Sequence, residues 1–184
     1  PPLGARTMGF SSRVGFIERI ESDLSITGVV LAGENRKVGI FAYDLCVLPE
    51  DTCRELRRLM GEAIGTPPSH ILLNFNHTHS APAFPGWLPE SPEQDALLGA
   101  YAQQVRAQSR ACAIAANERL QPARIAAGWG ACDFSVQRRE KRADGLVFLG
   151  EVPDGEKDPA VGVVRVDDLD GKPIATLFSF GCHT

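Results

Sequence analysis

Paired cysteine motifs, long apolar runs and basic tracts are all missing from this sequence. Its five cysteines, an odd number, stand at 46, 53, 112, 132 and 182 with no C-x-x-C spacing. That excludes a cysteine zinc knuckle and indicates no disulfide framework, so most of these thiols read as small buried apolar residues. No apolar run approaches the ~18 residues of a membrane span, so no transmembrane segment is expected. A net charge of −4 with no arginine-rich stripe leaves little to neutralise phosphates, and nucleic acid is not an expected partner. The local basic cluster Arg138, Arg139, Lys141 and Arg142 is interrupted by Glu140. A solvated loop explains it as well as an anion site does. No signal peptide, internal repeat or low-complexity tract is visible. The chain starts at Pro1 rather than Met and stops at Thr184 just after an apolar strand, and both ends read as cuts through a longer protein.

What is present is ordinary globular composition, 43% hydrophobic and 23% charged, at a length that suits one domain or a large piece of one. Residues 26–32 and 37–43 are β-rich runs around Gly33-Glu34-Asn35-Arg36, a hairpin pattern, with Asp44 directly after the second run. A helix is expected over 51–64, where Leu56, Leu59, Met60, Ala63 and Ile64 form a buried stripe and Gly65 with Pro67-Pro68 ends it. A short strand, 71–75, runs into Asn76-His77-Thr78-His79-Ser80, followed by a proline-rich loop at 81–90 that contains Trp87. Ser91, Pro92 and Gln94 mark a capped helix start, with the capping-box pattern, for a helix reaching about Leu120. Its inner face is expected at Leu98, Tyr101, Val105, Cys112 and Ala116. Strand-like segments near 123–129 and 146–150 precede a polar turn at 152–160 and a hairpin of 161–166 with 173–180. The pattern is α/β: a mixed β-sheet with flanking helices, read as a single domain over 1–184.

Histidine is scarce, with four in the chain, and three of them fall at strand ends. His77 and His79 are one residue apart, a spacing that in extended backbone points both rings to one face. Open α/β sheets place ligands where such strands end. His183 follows the last apolar strand and Asp44 follows another, so three strand ends deliver ligands or acids that sheet pairing could bring together. Neutral imidazole suits zinc, and a catalytic zinc keeps a position open for water, whose pKa falls to about 7. An H-x-H pair also arises by chance, and a lone His183 is as compatible with a satisfied core histidine. His70 has neither a partner nor a suitable position and reads as structural. Cys182 and His183, adjacent in a strand, face opposite ways and cannot form a dyad. Cys182 with His77 or His79 stays open as a thiol alternative, and Ser80 lacks a G-x-S-x-G elbow.

The motif Asn76-His77-Thr78-His79-Ser80-Ala81-Pro82 resembles the THTHSGP-type motif of the neutral/alkaline non-lysosomal ceramidase family. Further segments match in order: the strand ending in Asp44, Gln137-Arg138-Arg139, Val152-Pro153-Asp154-Gly155 with Asp158-Pro159, Val163-Val164-Arg165-Val166, and Gly181-Cys182-His183-Thr184. The resemblance covers most of 25–184. It implies a partial catalytic domain of a zinc-dependent amidohydrolase that cleaves an N-acyl amide bond, in ceramide or a related lipid. His77 and His183 would be zinc ligands, His79 would assist substrate or transition state, and Arg138 would line the substrate site, with Arg139 the neighbouring candidate. The remaining ligands, a glutamate and a tyrosine, would lie beyond Thr184, so this portion alone is expected to be inactive. The departures Asn76, Ala81, Gln137 and Thr184 spare the ligands and alter the rim, which bears on substrate. A ceramidase-like binding protein without catalysis, and a hydrolase with a non-lipid substrate, remain the alternatives. The location that the resemblance suggests is secreted or periplasmic.

Overall fold

The computed structural model describes residues 1–9, 15–86 and 91–183, in two compact units, Pro1–Leu120 and Gln121–Thr184. In the first unit, β1 (Ile26–Ala32) and β2 (Lys37–Tyr43) form the expected antiparallel hairpin, paired from Ile26↔Tyr43 to Ala32↔Lys37. β3 (Ile71–Phe75) runs parallel to β2, from Gly39↔Ile71 to Tyr43↔Phe75. Parallel neighbours need a crossover, and α1 (Glu50–Ile64) with a single 3-10 turn (Pro68–His70) supplies it. The three-stranded sheet is therefore mixed, as the sequence pattern predicts.

Acidic Glu50 and Asp51 favour the start of α1, and Gly65 ends it in the left-handed conformation at φ 71°. The Lys37 ammonium donates to the Ile64 carbonyl (2.8 Å) and to Asn117 Oδ1 (2.7 Å), tying the start of β2 to the ends of both helices. The second helix, α2 (Pro92–Glu118), starts on Ser91, whose Oγ accepts from the Gln94 amide at 3.3 Å. Only half of the expected capping box forms. The Gln94 side chain turns to the N-terminal segment instead, donating to the Gly4 carbonyl (2.7 Å) and accepting from the Arg6 amide (3.1 Å). A primary amide both donates and accepts, so this bridge satisfies two backbone groups where the box would satisfy one.

The core lies between the sheet and the helices, with Phe41, Leu56 and Met60 fully buried beside Tyr43, Ile64, Tyr101 and Val105. A short buried polar chain runs through the core: the Tyr43 hydroxyl donates to Ser109 Oγ (2.9 Å), which donates to the Val105 carbonyl (2.7 Å). Burial pushes both Tyr43 and Tyr101 up to about 12. An unfolded tyrosine ionises near pH ~10. The native state then keeps protons that the unfolded chain releases, so the stability from these groups is full below pH ~10 and is lost as pH rises through about 12. Urea midpoints on either side of pH ~10 are expected to show this fall. Tyr43→Phe should flatten it while costing about 1 kcal/mol at neutral pH for the lost hydrogen bond. An unchanged alkaline slope in the variant counts against the assignment.

The second unit is β-rich: β4 (Ala123–Ala131), β5 (Gln137–Lys141), β6 (Val147–Val152), β7 (Ala160–Asp168) and β8 (Pro173–Phe180). One antiparallel sheet has the order β4-β7-β8, and β5 pairs with β6. The basic cluster lies largely on β5, with Arg142 directly after it, so the solvated-loop reading is corrected. Its polar residues hide the strand because both faces of β5 carry polar side chains and no alternation survives. The Arg142 guanidinium lies 3.7 Å over the Phe148 ring, and Gly145, at φ 85°, makes the turn. Among the described residues no helix is long and apolar enough to cross a membrane.

Candidate metal centre

Because β2 and β3 are parallel neighbours, their carboxyl ends open side by side. The Asp44 carboxylate staples them: it accepts from Ser25 N (2.9 Å), Ser25 Oγ (2.6 Å) and Asn76 Nδ2 (2.7 Å). Asp44 is thus engaged as a structural acceptor rather than offered as ligand or acid.

His77 follows in the left-handed region at φ 62°. Its amide donates to the Leu45 carbonyl (3.1 Å), and its Nδ1 faces both the Cys46 carbonyl (3.1 Å) and Cys46 Sγ (3.5 Å). The backbone there is a turn. Asn76 Oδ1 accepts from the Thr78 amide (3.1 Å), and Thr78 Oγ1 accepts from the Ser80 amide (3.2 Å). The extended geometry expected for His77 and His79 is therefore corrected: the strand ends at Phe75, since side-chain-to-backbone bonds of this kind compete with a ladder. The turn nevertheless brings the rings together, with centroids 5.0 Å apart at 70°.

His79 is half-buried against the N-terminal segment. The Met8 amide donates to the Ala81 carbonyl (3.1 Å) and the Ala83 amide to the Arg6 carbonyl (2.7 Å). This lays Gly9, at φ 112°, on the His79 imidazole so closely that an added Cβ would overlap the ring.

Cys46, Sγ and all, is the member that sequence reasoning missed. Its sulfur and a nitrogen from each of His77 and His79 lie within 4.8 Å of one another. The residue is 5% exposed, and burial pushes its thiol up. By spacing alone it reads as one of the small buried apolar cysteines. The signal that finds it is its position two residues after Asp44, which matters only once β2 is known to lie parallel beside β3. Sulfur and imidazole donors fit zinc and similar borderline ions, and the exposed face of His77 leaves a path for an ion to enter.

The other expected site residues lie in the second unit. His183 follows β8 and is exposed, its carbonyl accepting from Cys182 Sγ (3.6 Å). Arg138, on β5, donates from Nε to the Gly150 carbonyl across the hairpin (2.8 Å) and is exposed. β3 and β8 belong to different sheets, so strand pairing does not join His77 to His183. His70 is structural as expected, its Nδ1 set 3.1 Å from the Lys37 carbonyl and 3.2 Å from Thr66 Oγ1. Trp87, expected either to wall a lipid groove with the residues from Ala81 onward or to anchor its loop, and Thr184 lie outside the described residues. A cleft of about 570 Å³ beside the turn is lined by Asn76, Thr78 and Ser80 and by Glu18, Glu21 and Asp23.

No protein-family model and no curated protein sequence matches the chain. Solved structures do. A ceramidase complexed with C2 superposes with a TM-score of 0.59 at 22% identity, over 83% of this chain and 24% of that one. The neutral ceramidase from Pseudomonas aeruginosa gives a TM-score of 0.61 at 18% identity, over 98% of this chain and 30% of that one. The chain has the fold of these ceramidases over a stretch that spans 24% and 30% of their lengths.

Proposed function

We propose that this chain carries part of the site of a zinc-dependent, ceramidase-like amidohydrolase acting on an N-acyl amide bond, in ceramide or a related lipid. The observation that carries it is the convergence of His77 and His79 at the carboxyl ends of a parallel strand pair, in a fold shared with ceramidases. His77 and His183 would hold the ion, and a zinc bound by them would supply a water ionising near ~7 and a Lewis acid for an amide carbonyl. His79 donates an N–H to the carbonyl oxygen as charge develops on it, and Arg138 holds the substrate through its guanidinium.

Elemental analysis of the full-length protein tests the metal directly. His77→Ala and His183→Ala are each expected to lose stoichiometric zinc, and retention in both ends this reading. A second reading, a hydrolase of a non-lipid amide, is favoured by the charged lining of the cleft at Glu18, Arg19, Glu21 and Asp23. A panel of N-acylsphingosines and simple amides separates the two. Turnover confined to the simple amides selects the second.

A further inference from the structure

We infer that Cys46 is a sulfur ligand of the ion held at His77, so that the centre is a mixed sulfur–nitrogen site for a borderline-soft divalent cation. This rests on the reading that a metal binds at His77, and it adds a donor outside the pair His77 and His183. Zinc–sulfur and zinc–nitrogen bonds of ~2.3 and ~2.05 Å at the tetrahedral angle set the two donors about 3.5 Å apart. Cys46 Sγ and His77 Nδ1 stand 3.5 Å apart before any ion is added.

The pair is also pre-set. The sulfur is buried on the segment after β2, and His77 is hung from that segment by its amide bond to the Leu45 carbonyl. The Asp44 staple holds the two strand ends together. Without an ion, Nδ1–H donates to the Cys46 carbonyl at 3.1 Å, and the ion takes the place of that hydrogen. Coordination deprotonates the thiol outright. His79 brings a ring nitrogen into the same 4.8 Å group.

Cobalt(II) titration of the protein tests this by absorption. Bound cobalt is expected to give a thiolate charge-transfer band in the near ultraviolet as well as visible ligand-field bands. The near-ultraviolet band should be lost in Cys46→Ser and kept in Cys182→Ser. Visible bands without the charge-transfer band overturn the role of Cys46 and leave the His77 and His183 reading standing. So does a band that survives Cys46→Ser. Absence of all cobalt bands overturns both. Should Cys46→Ser fail to fold, X-ray absorption at the zinc edge of the unaltered protein decides. A sulfur shell at ~2.3 Å is expected, and a shell of nitrogen and oxygen alone overturns the inference.

Discussion

Phe41→Ala is expected to destabilise the first unit by about 3–5 kcal/mol, the range for emptying a buried phenylalanine site. The ring is fully buried at the centre of β2. It lies flat over two glycines: a Cβ built on Gly28, its cross-strand partner, or on Gly39, two residues before it, would stand 2.5 Å from ring carbons. Neither glycine can refill the space without a further substitution, so the cavity persists. The complementary test is Gly39→Ala, which is expected to cost about 1–3 kcal/mol by overpacking. Paired with Phe41→Leu it should recover part of that loss, because the added methyl then meets a smaller side chain. Urea unfolding followed by far-ultraviolet circular dichroism reads all of these. A midpoint for Phe41→Ala equal to that of the parent would remove this ring from the centre of the core.

The second large effect concerns His79. If it donates to the developing oxyanion, His79→Ala in the full-length protein should lower kcat on the amide substrate by about 10²–10³ while leaving zinc content intact, as loss of one such donor does elsewhere. Gly9→Ala is expected to reproduce part of that loss from outside the motif. Its added methyl overlaps the His79 ring, and its φ of 112° suits glycine alone. A Gly9→Ala protein that folds, holds zinc and turns over at the parental rate would show that the ring's position is immaterial. Loss of zinc in His79→Ala would instead make His79 a ligand.

Most of the fold can be read from local signals because those signals are strong where they occur. The hairpin of β1 and β2, the stripe on α1, the Ser91 cap and the five residues of β3 all carry short-range patterns that tertiary packing then respects. β5 hides, although its partner β6 is legible, because the polar residues of β5 occupy both of its faces and propensity has nothing to separate inside from outside. The site is legible by halves. Two histidines one residue apart are visible in any sequence, although the reason offered for their proximity, an extended backbone, gives way to a left-handed residue at His77. Cys46 depends on a pairing between segments about thirty residues apart, 31 in the case of its contact with His77, and no local pattern encodes that. The placement of His183 and Arg138 relative to His77 is likewise a question of long-range assembly, which spacing does not address.

The carboxylate of Asp44 has one more implication. Since it grips Ser25 and Asn76 at once, the sulfur and the imidazole that follow those strands inherit their separation from backbone ladders rather than from the loops that carry them. The exposed positions downstream of the staple, Ser80 among them, are then at liberty to vary without disturbing it. Exchanges at such positions are then expected to change what the neighbouring cleft admits, while the separation of the Cys46 sulfur from the His77 ring is held by the ladder behind them.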